Sequence, residues 1–120
     1  MKQFSKICEN SSYVKVNYLN LDSELLFITE NDKQVGSLIL CYENNLAKIF
    51  SVEILKNHRG KGYGKKITEA AVQRCKEKSC SEIQLNTEQD NIVANSLYKQ
   101  LGFIQDGYIE DFNHYVLRLY

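Results

Sequence analysis

A chain of 120 residues is long enough for one compact domain with a modest core, and a second domain is not expected. Lys plus Arg balance Asp plus Glu at 15 each, so no global field argues for nucleic acid or a membrane surface, and any basic patch has to be local. The four cysteines, Cys8, Cys41, Cys75 and Cys80, form no Cys-x-x-Cys pair and have no histidine at metal-ligand spacing, so they read as free buried thiols with no metal site.

Residues 1–12 carry no clear period and read as a loose arm or a first-turn helix. No sustained apolar run follows Lys6 and no stretch approaches spanning length, so neither a signal peptide nor a membrane helix is expected, and a cytoplasmic location is the expectation. Tyr13, Val14, Val16, Tyr18 and Leu19 are β-formers around Lys15 and Asn17, which predicts a strand ending near Asn20. Residues 25–29 predict a second. Asn31 and Asp32 supply a turn into a third strand over 34–42, interrupted by Gly36. Glu43-Asn44-Asn45 turns again into a fourth, over 46–55, completing an antiparallel meander.

Residues 52–66 then read as a strand end, a glycine loop and a helix start. Gly60, Gly62 and Gly64 alternate with other residues, so the backbone can turn tightly and come close to a ligand. Amides without an intrahelical partner, the positive end of the helix dipole, and Arg59, Lys61, Lys65 and Lys66 together favour an anion, with phosphate as the natural choice. A Walker-type loop fails on spacing and on Lys66, which stands where Ser or Thr should hold magnesium. A dinucleotide fingerprint fails because one residue, not two, precedes the last glycine.

From residue 64 to about 78, Ile67, Ala70, Ala71, Arg74 and Cys75 fall on one helical stripe, and Lys65, Lys66, Glu69, Gln73, Lys76 and Glu77 face water. Residues 82–86 alternate as a strand parallel to the fourth, completing a crossover. A second helix starts at Asn91, capped by Asp90 or Asn91, and ends at Gly102 in the left-handed conformation. Residues 103–108 and 114–120 read as a closing antiparallel pair, with Asp106-Gly107 and residues 111–113 as irregular connections. The sum is an α+β fold: a mixed, mostly antiparallel sheet flanked by two principal helices.

Two motifs carry a family resemblance. Arg59, two residues, Gly62, one residue and Gly64 resemble the coenzyme A pyrophosphate loop of the GNAT N-acetyltransferase superfamily. Asn91, Tyr98 seven residues later, and the exit Leu101-Gly102-Phe103 resemble its other cofactor motif, in the right order and with room for one helix and one strand between. The resemblance covers about residues 34–120, the cofactor-binding core of a single domain spanning 1–120. It implies a GNAT-like fold and acetyl transfer from acetyl-coenzyme A to a primary amine, on a small molecule or a protein. The pantetheine would pair with the backbone of Val52 and Ile54. The pyrophosphate would meet the amides of Gly60, Lys61, Gly62, Tyr63, Gly64 and Lys65, helped by Arg59, with Asn91 on the opposite wall.

An amine attacks a thioester only as its neutral form, and a lysine-like amine has a reference pKa of about 10.4, so a base is needed. Glu53, the one carboxylate inside the fourth predicted strand, is the candidate, acting through water. A backbone N–H near Val52 would stabilise the oxyanion. Tyr98, with a reference pKa of about 10, is the candidate acid for the departing thiolate. Each has a plainer reading: Glu53 as a solvated strand residue, Tyr98 as amphipathic core, Asn91 as a helix cap, the loop as a bare connection. His58 is assigned packing under the loop, His114 no role. Asp106, Glu110 and Asp111 lie where the family's late loop borders the acceptor and would suit a cationic substrate, but the plainer and commoner reading of three loop carboxylates is a solvated surface.

The front departs from the family, which opens with a strand and two helices walling the acceptor. Here residues 1–30 show no amphipathic helix. That abbreviated acceptor part leaves the pocket open or completed by a second subunit, as in a homodimer. A different class, a non-catalytic acyl-coenzyme-A-binding or protein-interaction module on the same fold, accounts for the missing helices but not for Tyr98.

Overall fold

Alternating β-branched and polar residues in the first half of the chain build a meander, whose edges show how the second half is placed. The computed structural model describes residues 13–20 and 22–120, and the arm or helix expected over residues 1–12 lies outside them. Strands β1 (Tyr13–Asn20), β2 (Ser23–Glu30), β3 (Lys33–Glu43) and β4 (Leu46–Ile54) pair antiparallel in succession. Between β2 and β3, Asn31 and Asp32 both take positive φ, 52° and 65°, the left-handed pair that matches strand twist in a two-residue hairpin.

Gly36 does not interrupt β3. It pairs with Ile28 on one side and Ile54 on the other, and a Cβ there would overlap the Ile54 side chain, so the glycine admits a close approach inside a continuous strand.

After β4 come a 3-10 turn at Lys56–His58, helix α1 (Tyr63–Glu77), β5 (Glu82–Glu88), helix α2 (Ile92–Gln100), β6 (Ile104–Ile109) and β7 (Phe112–Arg118). The seven strands lie in the order β1-β2-β3-β4-β5-β7-β6, with β4 and β5 parallel and the other pairs antiparallel. This is an α+β fold with a mixed, mostly antiparallel sheet. Two connections expected at the end of the chain are strand instead. Phe112 and Asn113 belong to β7, where β5 supplies a full ladder, and Asp106-Gly107 stay within β6 as a register shift against β7. An edge strand exposed along its whole length tolerates those polar residues.

Both helices cover the same face of the sheet. Glu24, Leu40, Ile49, Leu85 and Tyr115 are register partners across five strands and share that face. Arg74 of α1 bonds Glu24, while Tyr98 and Asn95 of α2 contact Tyr115. Leu26, Ile28, Leu38, Leu40 and Ile83 fill the core there against Ile67, Ala71 and Cys75. Arg74 sits on the stripe that periodicity assigned it. It stays charged at depth because Glu24, 1% exposed, takes its Nε at 3.2 Å and its Nη2, while the Tyr42 hydroxyl donates to the same carboxylate at 2.6 Å. The opposite face carries Leu25, Ile39 and Phe50, then Phe27, Ser37 and Glu53, and neither α1 nor α2 packs on it. Cys75 and Cys80 are free and buried, and Cys41 is free and half-buried. Among the described residues no helix is long and apolar enough to cross a membrane.

Candidate functional site

The site begins where two strands part. β4 and β5 pair only from Leu46 opposite Glu82 to Ile49 opposite Leu85. Beyond that point β5 stays with β7 as far as Glu88, while β4 bulges: Ser37 and Ile39 on β3 oppose Glu53 and Phe50, one residue too many on β4. Ser51 takes up the excess at φ 54°. A bulge bends its strand, so the run from Phe50 to Ile54 swings off β5 and a cleft of about 1500 Å³ opens.

Val52, Glu53, Ile54, Arg59, Gly60, Gly62, Tyr63, Gly64, Lys65, Asn91 and Tyr98 all line this cleft; Lys61 and Lys66, also expected at the anion site, do not. The three glycines differ. Gly60 and Gly62 have φ of 79° and 83° with open space around them, so conformation selects them. Gly64 is helical, and a Cβ there would sit 3.5 Å from Leu97 Cδ2, so it brings α1 close to α2. Gly62 caps α1 without a side-chain bond, which leaves the first-turn amides facing the loop.

The loop cations are already engaged. Arg59 Nε donates to the Ile54 carbonyl at 2.9 Å, tying the loop to the end of β4. Lys61 Nζ lies 3.6 Å from Glu30 Oε1, His58 Nδ1 lies 3.3 Å from Glu30 Oε2, and the Tyr63 hydroxyl donates to Glu30. The Tyr63 hydrogen bond, then the Lys61 and His58 charges, hold the Glu30 carboxyl below its ordinary value against partial burial. Sequence reading missed Glu30, because a lone acid at a strand end carries no local signal.

On the opposite wall Asn91 Oδ1 accepts from the Ala94 amide at 3.1 Å and caps α2. Asn95, 8% exposed, organises the rest: its Nδ2 donates to the carbonyls of Glu88 at 2.9 Å and Asn91 at 2.7 Å. Its Oδ1 accepts from Asn113 Nδ2 at 2.9 Å and the Tyr115 hydroxyl at 2.6 Å. That residue also went unpredicted, although an asparagine one turn after a cap, on a buried helix face, is a readable sign. Tyr98, 4% exposed, lies against Phe103 and Tyr115, and burial pushes its phenol up to about 12. It is therefore a neutral hydroxyl throughout the ordinary pH range.

Glu53 is exposed on the helix-free face; His114 shares that face by register but is half-buried, with its Nδ1 2.7 Å from Asn86 Oδ1. Asp106, Glu110 and Asp111 are not part of the lining; their hairpin contributes Ile109 and Phe112 instead. The hairpin's share of the rim is therefore apolar, and the three acids take the plainer of their two readings, exposed hairpin residues away from the lining.

A mixed sheet parted at its one parallel pair, with a glycine loop heading the adjoining helix, defines the architecture of an N-acetyltransferase fold. Residues 3–103 match the Acetyltransferase (GNAT) family, and the chain belongs to it. It is 32% identical to N-alpha-acetyltransferase 30 of Schizosaccharomyces pombe over 99 residues, 78% of this chain and 66% of that protein. Against N-alpha-acetyltransferase 30 of Saccharomyces cerevisiae it is 29% identical over 106 residues, 79% of this chain and 60% of the relative. The chain thus spans a little under two thirds of both. PaiA N-acetyltransferase from Thermoplasma acidophilum, solved in complex with coenzyme A, superposes with a TM-score of 0.78 at 22% identity, over 82% of this chain and 62% of that one.

Proposed function

We propose that this chain is an N-acetyltransferase that moves an acetyl group from acetyl-coenzyme A to a primary amine. The parting of β4 from β5, with the glycine loop at its mouth, is the observation that carries the reading. The residues present suit the coenzyme: Gly60 and Gly62 are left-handed and open, and the first-turn amides of α1 have no side-chain cap. The amides from Gly60 to Lys65 would hold the pyrophosphate. The freed edge of β4 at Val52 and Ile54 would hold the pantetheine, with the Ile54 carbonyl shared with Arg59, and Asn91 would contribute from across the cleft. Bound there, the coenzyme supplies an activated acetyl thioester.

In this reading Glu53 takes the acceptor's proton through water from the helix-free side, and an N–H near Val52 meets the developing negative charge. Tyr98, neutral and fixed by its two ring neighbours, gives its proton to the departing sulfur. The likeness to two N-alpha-acetyltransferases favours a protein α-amine as acceptor, and the described helices leave the Glu53 side open to one.

The test is calorimetric titration with acetyl-coenzyme A, followed by thiol release with peptides bearing a free α-amine. Saturable binding with peptide-dependent thiol release is expected. Binding without turnover across broad peptide and small-amine panels would favour the non-catalytic module, and no binding would remove the cofactor site.

A further inference from the structure

We propose that Glu30, at the end of β2 and outside the cleft lining, is a positioning residue that fixes the glycine loop for the pyrophosphate. The inference rests on the coenzyme reading above and concerns how the loop acquires its shape. Between Arg59 and Gly62 every residue is exposed, and two glycines there sit at positive φ with nothing within 4 Å of a Cβ. A segment so thinly packed is free to open locally unless something outside it holds it. Three side chains reach back from it to one carboxylate: His58 before the glycines, Lys61 between them and Tyr63 just after, at the first residue of α1. Glu30 therefore holds the loop from within and from the head of α1 through Lys61 and Tyr63, and protonated His58 adds an ion pair on the other flank. The depressed carboxyl pKa agrees, since the folded loop favours the ionised form.

The arrangement has a second effect. A carboxylate near an anion site repels its ligand, yet this one is matched by Lys61 and by His58 when protonated. Removing Glu30 thus does two opposite things: it releases Lys61 toward the phosphates, and it unfastens the amides that must converge on them. Ordering a loose loop opposes binding more than one exposed charge favours it, so the loosening decides the sign.

The experiment is titration of the whole chain with coenzyme A and with pantetheine, which lacks the pyrophosphate. Glu30→Ala should weaken coenzyme A roughly tenfold while leaving pantetheine unchanged. Glu30→Gln, whose amide oxygen still accepts from Tyr63, should recover most of that loss. Tyr63→Phe, which deletes a single oxygen, should reproduce a weakening of several-fold if Glu30→Ala fails to fold, and the double variant should be no weaker than Glu30→Ala alone. Unchanged or tighter coenzyme A binding in Glu30→Ala would overturn the proposal, as would equal weakening of both ligands. No binding by the unaltered chain would instead overturn the coenzyme reading.

Discussion

The two walls of the cleft are built on different principles. The loop wall is a stretch of exposed backbone shaped by φ at Gly60 and Gly62 and tied down by charged side chains to Glu30 and Ile54. The α2 wall is held from its buried side, where one neutral amide, Asn95, satisfies four partners on the α2 cap, β5 and β7. Charged ties at a solvated edge yield to salt and pH, whereas a buried amide network yields only to losing the amide. The molecule therefore has one wall adjustable by conditions and one that is fixed.

The buried side of the α2 wall depends most heavily on Asn95. Asn95→Leu leaves the Tyr115 hydroxyl and the Glu88 carbonyl without their amide partner, and should cost about 3 kcal/mol of stability by urea unfolding. A loss below about 1 kcal/mol would mean that water takes over and the wall is not fixed. Next, Tyr98→Phe should lower turnover on the order of a hundredfold with coenzyme binding intact, because the packing against Phe103 and Tyr115 survives. With its phenol pushed up to about 12, the wild-type rate should show no decline from Tyr98 ionisation up to roughly pH 10. An alkaline limb below that, lost in Tyr98→Phe, would contradict the burial argument.

On the loop wall, Gly62→Ala should cost about 1–2 kcal/mol, since its φ of 83° is disfavoured for any residue with a Cβ. Asn91→Ala should cost about 1 kcal/mol by removing the cap on the Ala94 amide. Both are read from urea midpoints. The smallest effect is the pH dependence of the Glu30 clamp. Its folded pKa is lowered, so its contribution is complete above the ordinary carboxylate value of 4.5 and fades as pH falls through the lowered one. The difference in loop hydrogen exchange between the wild type and Glu30→Gln should be steady above about pH 5 and vanish in acid. A difference that grows on acidification would have the wrong sign.

What was legible in the sequence follows the same division. Period-two strands, the α1 stripe and the left-handed glycines are local properties, and among the described residues the seven strands and α1 and α2 are where alternation and capping put them to within a few residues. Gly36 misled because its reason for being glycine, contact with Ile54 eighteen residues on, is not local. Glu30, Glu24 and Asn95 were missed for the same reason. Each earns its meaning from a partner on another element: Tyr63, Arg74 or Tyr115. The apolar rim of Ile109 and Phe112 was hidden by the more visible acids of the same hairpin.

The lining of the cleft comes from both sides of the sheet, with Tyr98 and Leu97 on the helix-covered side and Glu53, Phe50 and His114 on the other. Among the described residues the sheet separates those two sides by one backbone thickness, and β4 and β5 part at the bulge. On the proposed reading, donor and acceptor would approach that slit from opposite faces of the sheet.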